Sequence, residues 1–187
     1  MTLDHIVDQI LPLPIASKKI LCSLFSEHRY RKNEILFRKD QLVSHLYFVK
    51  TGIVRAYAPA GDSELTFWFG REGAAVLSMR SYVENKPGYE NIELLEDSTL
   101  YRAPSDQLQR LFQSDIHAAN WGRKLAEKEL ISTEERLISR EFRNAKERYM
   151  DLLTSHPDLL QRVALGHIAS YLGITQVSLS RVRAEIR

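Results

Sequence analysis

Ala164-Leu-Gly-His-Ile-Ala-Ser-Tyr-Leu-Gly-Ile-Thr-Gln-Val-Ser-Leu-Ser-Arg-Val-Arg183 is the most specific stretch of this chain. Two helices that cross steeply through a turn of three or four residues need a small residue where they touch. Ala169 supplies it. They need a residue that tolerates left-handed backbone in the turn, and Gly173 follows four positions on. They need apolar side chains clamped between them, and Ile168, Leu172, Ile174, Leu179 and Val182 have the spacing. Thr175 stands where a hydroxyl caps the second helix. Outward on that helix remain Gln176, Val177, Ser178, Ser180, Arg181 and Arg183. Apart from Val177 these are hydrogen-bonding types that reach phosphates and base edges of duplex DNA. An ordinary αα-hairpin shares the small-residue and glycine spacing. It rarely shows a polar face without an acid until Glu185.

Upstream, residues 105–155 carry no proline and only Gly122, and Ala, Leu, Glu, Lys and Arg dominate. This is helix, too long for one compact element, with a break expected near Ser139–Asn144. Ser114-Asp115 reads as an N-cap, and Ile116 opens the apolar stripe. Leu130/Leu137 and Ile131/Ile138 recur at seven residues, although Arg123, Glu127 and Glu134 interrupt the pattern. The stripe suits either packing within one chain or a dimer seam, and a long helix between two small domains favours the seam. Downstream, His156-Pro157-Asp158 is expected to start a helix at the proline, with further helices over Leu165–Leu172 and Gln176–Arg187.

Residues 33–103 have another texture. Runs rich in Val, Ile, Tyr, Phe and Trp fall at Glu34–Phe37, His45–Lys50, Gly52–Ala58, Glu64–Phe69, Ala74–Leu77, Asn91–Leu95 and Thr99–Ala103, separated by turn formers. Such spacing predicts an all-β sandwich or barrel. Gly52 sits where a tight turn needs positive φ. Residues 3–27 have helical spacing, interrupted at Pro12 and Pro14. The fold class is therefore α+β: an N-terminal β jelly-roll domain over 1–113, a dimerisation helix over 114–138, and an all-α helix-turn-helix domain over 139–187.

Composition excludes several classes. The 187 residues have a net charge of +2, with a hydrophobic fraction of 44%. Residues 1–110 carry 14 basic and 14 acidic side chains. The excess lies at the C-terminus, in Arg162, Arg181, Arg183 and Arg187 against Glu185. Cys22 is the sole cysteine, so no intramolecular disulfide forms, and no Cys/His cluster has metal spacing. No signal sequence or membrane span is legible, and a cytoplasmic location is expected. No nucleophile–base grouping, Walker, G-x-S-x-G or H-E-x-x-H pattern marks an enzyme.

The order of parts, with Asn33-Glu-Ile-Leu-Phe-Arg-Lys-Asp40, Leu46-Tyr-Phe-Val-Lys-Thr-Gly-Ile-Val-Arg-Ala-Tyr57 and Ile92-Glu-Leu-Leu-Glu-Asp-Ser98, resembles the Crp/Fnr family of bacterial transcription regulators. The segments Glu147-Arg-Tyr-Met-Asp-Leu-Leu, Pro157-Asp-Leu-Leu-Gln-Arg-Val and His167-Ile-Ala-Ser-Tyr-Leu-Gly-Ile-Thr are similar to the branch found in Bacteroidetes-type bacteria. The resemblance implies a cyclic-nucleotide-binding-like effector domain, a homodimer and double-stranded DNA as partner. It places Gln176, Val177 and Arg181 at base edges, with Thr175, Ser178 and Ser180 nearer the phosphates.

The chain departs from the family in its phosphate-binding cassette. Nucleotide-binding members have Gly-Glu and then Arg-Ser or Arg-Thr. Here Leu77-Ser78 and Tyr89-Glu90 stand in those places, and a glutamate would repel a phosphate. Binding of cyclic AMP is not expected. Trp68, Arg80, Tyr82 and Tyr89 are candidates for a pocket holding an unknown small molecule, or else core and rim of the barrel. With Cys22 alone, the family's iron–sulfur centre is excluded, and no cofactor is expected. A ligand-binding module acting on a protein partner through a degenerate helix-turn-helix is the other reading.

Overall fold

A computed structural model describes residues 1–61 and 63–186. Two helices open the chain, α1 (Leu3–Ile10) and α2 (Ile15–Ser23). Eight strands follow among the described residues: β1 (Ser26–Tyr30), β2 (Ile35–Phe37), β3 (His45–Thr51), β4 (Val54–Ala60), β5 (Ser63–Gly70), β6 (Ala75–Val76), β7 (Asn91–Leu94) and β8 (Ser98–Pro104). A short helix, α3 (Met79–Glu84), lies between β6 and β7. Among the described residues six more helices follow: α4 (Ser105–Ser114), α5 (Ile116–Phe142), α6 (Ala145–Ser155), α7 (Leu159–Arg162), α8 (Leu165–Tyr171) and α9 (Gln176–Ile186).

The strands form two four-stranded sheets, ordered β1-β8-β3-β6 and β2-β7-β4-β5. In the first, β8 is antiparallel to both β1 and β3. All seven strand runs expected over residues 33–103 are present. The turn before β4 has Gly52 at φ +114°, and a side chain there would overlap Ser98. Strand β1 was not expected. Its sequence, Ser-Glu-His-Arg-Tyr, lacks alternation because it pairs only with β8 at the sheet edge and stays largely exposed.

The chain divides into two compact units. One comprises Met1–Ala56 and Phe69–Glu129, the other Tyr57–Trp68 with the residues from Leu130 onward. In the first, alternate residues of β3 serve different faces. Leu46 and Phe48 join Ile6, Val7, Leu21, Leu108, Leu111, Ala118 and Trp121 in one buried cluster. Trp121 fixes the start of α5: its indole N–H donates to the Val7 carbonyl at 3.0 Å, and its ring meets Phe48 edge-on at 6.1 Å. Buried Tyr47 stands on the opposite side of the strand from Phe48, and burial pushes its hydroxyl up to about 12.

Helix α5 begins where the sequence indicates. The Asp115 carboxylate accepts from the His117 N–H at 2.8 Å and the Ala118 N–H at 3.3 Å. Hydrogen bonding from Ser17, aided by those amides, holds the carboxyl below its ordinary value. The helix ends at Phe142, inside the expected break. Asn144 then caps α6 with a reciprocal capping box to Glu147.

In the second unit, Tyr149, Leu152, Leu159, Val163, Ile168, Ala169, Leu172 and Leu179 are buried. The helix expected from Pro157 is shorter and later. His156–Asp158 close as a turn, with the Leu159 N–H on the His156 carbonyl at 3.1 Å, and extended backbone at Val163 ends the single turn of α7. Among the described residues, no helix is long and apolar enough to cross a membrane.

Candidate nucleic-acid interface

Helices α8 and α9 are joined by Leu172–Thr175, and the turn is built as its residues demand. Gly173 has φ +67°. The Gly173 N–H reaches the Ser170 carbonyl at 3.1 Å and the Ile174 N–H the Ala169 carbonyl at 3.0 Å, satisfying carbonyls at the end of α8. Ala169 is buried at the helix contact, Leu179 is wholly enclosed, and Ile168 and Leu172 close the same core. Thr175 Oγ1 accepts the Ser178 N–H at 3.1 Å and shares a hydrogen bond with Ser178 Oγ at 3.0 Å, so it caps α9.

The outward face of α9 holds Gln176, Val177, Ser180 and Arg181, all exposed, with Ser178 and Arg183 half-buried beside them. The Ser180 hydroxyl donates to the Gln176 carbonyl at 3.0 Å, which leaves its lone pairs outward. Glu185, the one acid in residues 161–186, pairs with Lys146 of α6 at 3.4 Å. The face is thus polar, with cations and without an opposing carboxylate. On α8, Ser170 Oγ accepts the Thr66 N–H at 2.8 Å and donates to the Glu64 carbonyl at 2.7 Å, which ties the β4–β5 hairpin tip to this helix within the second unit. Sequence reading did not single out Ser170, since a lone helical serine carries no signal of a tertiary partner.

The cassette-like stretch occupies the loop around α3. Ser78 and Glu90 come together at Gly88. A side chain on Gly88 would lie 2.5 Å from Ser78 Oγ and 2.8 Å from Glu90 Oε1. Ser78 is 2% exposed and Glu90 7%, and Glu90 Oε2 accepts the Tyr89 N–H at 3.0 Å. The two positions that departed from the family pattern are therefore neighbours in space.

Of the four pocket candidates, Arg80, Tyr82 and Tyr89 belong to the first unit and Trp68 to the second. Arg80 is exposed and lies 3.9 Å from Glu84, which also takes Lys86 at 3.2 Å. Tyr82 is half-buried, and burial raises its hydroxyl. The Tyr89 ring is exposed. Trp68 is half-buried on β5, within the second unit. The first unit also holds an ion pair that sequence reading missed. Arg55 of β4, nearly enclosed, donates to Glu93 of β7 at 2.7 Å. Its only signal was one charge in each of two largely apolar strands. No cluster of side chains suited to a metal ion occurs among the described residues.

Residues 27–115 match the cyclic nucleotide-binding domain family. That class agrees with the two-sheet architecture of the strands. Among solved structures, the chain is similar to FixK2 from Bradyrhizobium japonicum, with 22% identity and a TM-score of 0.72 over 87% of this chain and 84% of that one. It is similar to the c-di-GMP responsive global regulator CLP of Xanthomonas campestris, with 20% identity and a TM-score of 0.73 over 92% and 91%. A protein of Eubacterium rectale described as a transcriptional regulator of the crp/fnr family gives 17% identity and a TM-score of 0.73 over 93% and 85%. At these identities the likeness is one of fold. No curated protein sequence matches the chain.

Proposed function

We propose that this chain is a sequence-specific, homodimeric DNA-binding transcription regulator of the Crp/Fnr type, of the branch found in Bacteroidetes-type bacteria. In this reading residues 1–113 are the effector domain, 114–138 the dimerisation helix and 139–187 the helix-turn-helix domain. One observation carries it: the outward face of α9 presents Gln176, Ser180 and Arg181 on a capped helix whose inner side is anchored by Leu179. Arg181 pairs in bidentate fashion with guanine O6 and N7, and Gln176 reads adenine. Val177 meets a thymine methyl. Thr175, Ser178 and Arg183 contact phosphates, and the Ser180 hydroxyl accepts or bridges there through water.

The test is selection of duplexes from a random pool, followed by fluorescence anisotropy across salt. The regulator enriches an inverted repeat with half-sites about one helical turn apart, and its affinity falls steeply with salt. No enrichment and a flat salt response sink the reading.

In this reading the effector is unknown and is not cyclic AMP. Glu90 and Ser78 adjoin at Gly88 where the family places a phosphate-neutralising arginine and its partners, and Arg80 and Lys86 both attend Glu84. Cyclic AMP and cyclic GMP therefore leave the melting temperature unchanged, and a saturable rise with either overturns this part.

A further inference from the structure

The helices around the α5–α6 break converge on one guanidinium. Arg148 lies on the first turns of α6, half-buried. Its Nη1 donates to the carbonyls of Arg140 and Arg143, at and just beyond the end of α5. Its Nη2 donates to the Leu172 carbonyl at 2.8 Å, where α8 ends and the turn to α9 begins. Nε is shut from solvent and has no hydrogen-bond partner among the described residues. Carbonyls at a helix end lack intrahelical donors and carry the negative end of the helix dipole. One planar cation therefore serves the C-termini of two helices at once.

Other contacts make this junction stiff. Arg143 pairs with Asp151, Asn144 and Glu147 close the capping box, and Lys146 reaches Glu185 of α9. The phenol of Tyr171, at the end of α8, is raised by burial and feels the charge of Arg136 on α5. A side chain on Gly173 would sit 4.0 Å from Arg148 Nη2. The end of α8 and the end of α5 are thus neighbours across Arg148.

The geometry points to Arg148 as a positioning residue that locks the recognition helix to the end of the long helix, so that a dimer presents two recognition helices at one set spacing. This rests on the regulator reading. Arg148 does not touch DNA in that reading; it acts through Leu172 and the turn. A lysine offers three donors on a flexible stem and a point charge, so it holds one helix end but not both in a fixed fork.

The experiment uses the full chain and the duplex selected by the wild type. Arg148→Met and Arg148→Lys are compared with wild type on three probes: that inverted repeat, the same duplex with one half-site scrambled, and duplexes with one base pair added or removed between half-sites. One base pair rotates a half-site by about 35° and shifts it about 3.4 Å, which a rigid pair of helices does not follow. Wild type should reject the altered spacers. Arg148→Met should lose about tenfold or more on the intact repeat, keep its half-site affinity within about threefold, and accept the altered spacers nearly as well as the original. Arg148→Lys should fall between. A matching loss on intact and scrambled duplexes means damage to the recognition unit and overturns the positioning role. So does an unchanged spacer preference, read on Arg148→Lys if the methionine variant does not fold. If wild type selects no inverted repeat, the regulator reading fails first and the role of Arg148 with it.

Discussion

Replacing Leu130 and Leu137 together by alanine should dissociate the dimer without harming the subunit. Leu130, Ile131, Leu137 and Ile138 are 62%, 53%, 59% and 55% exposed in the single chain. They recur along α5 away from Ala118 and Trp121, which face the core. Full burial of a leucine or isoleucine contributes about 1.5–3 kcal/mol, so covering the exposed half or more contributes roughly 1–1.5 kcal/mol each. Eight such side chains in a twofold pair sum to on the order of 10 kcal/mol. Association costs about 4–15 kcal/mol, a sum of the same size, so no contact of such a seam can be spared. Truncation of one leucine removes about 1 kcal/mol per protomer, and twofold symmetry counts each change twice. The double variant then loses about 4 kcal/mol, close to a thousandfold in Kd. Sedimentation equilibrium at micromolar concentration reads it, with Val83→Ala, exposed on α3, as a control. A wild type that sediments at 21.6 kDa refutes the seam, as does a double variant whose Kd stays within about threefold of wild type.

Arg181→Ala should erase preference at one guanine per half-site, a loss of about 1–3 kcal/mol of discrimination, whereas Arg183→Ala should weaken all duplexes alike and lower the salt slope; a uniform loss from Arg181→Ala makes it a backbone clamp. Leu179→Ala should destabilise the second unit by about 2–5 kcal/mol, because the side chain is wholly enclosed; thermal unfolding that shifts by less than about 1 kcal/mol removes Leu179 as the clamp of α9. Asp115→Asn should lower the melting temperature at neutral pH. The folded carboxyl sits below its ordinary 3.8, so its contribution is present above 3.8 and lost as pH falls through the folded value, and the two melting temperatures should converge in acid. A gap that persists unchanged at low pH would show that charge plays no part in the cap.

Elements whose cause is local were legible in the chain before it folded. Runs of β-branched and aromatic residues between turn formers placed the strands over 33–103, Gly52 and Gly173 marked backbone at positive φ, and Asp115 and Thr175 stood at helix starts where their side chains cap amides. The sequence also exposed the missing cassette residues, because Ser78 and Glu90 are identities that no folding step changes. Tertiary structure alone decided what depends on distant partners. Strand β1 exists because β8 offers it an edge, despite a charged and non-alternating sequence. Arg55 and Glu93 tolerate burial because each has the other. Ser78 meets Glu90 only through the close approach of Gly88, and Ser170 and Arg148 look like any helical serine and arginine until carbonyls and amides from other elements arrive within hydrogen-bonding reach. Caps and runs of strand-forming residues are encoded within a few residues of chain, whereas a buried polar group is stable only once its partner is in place.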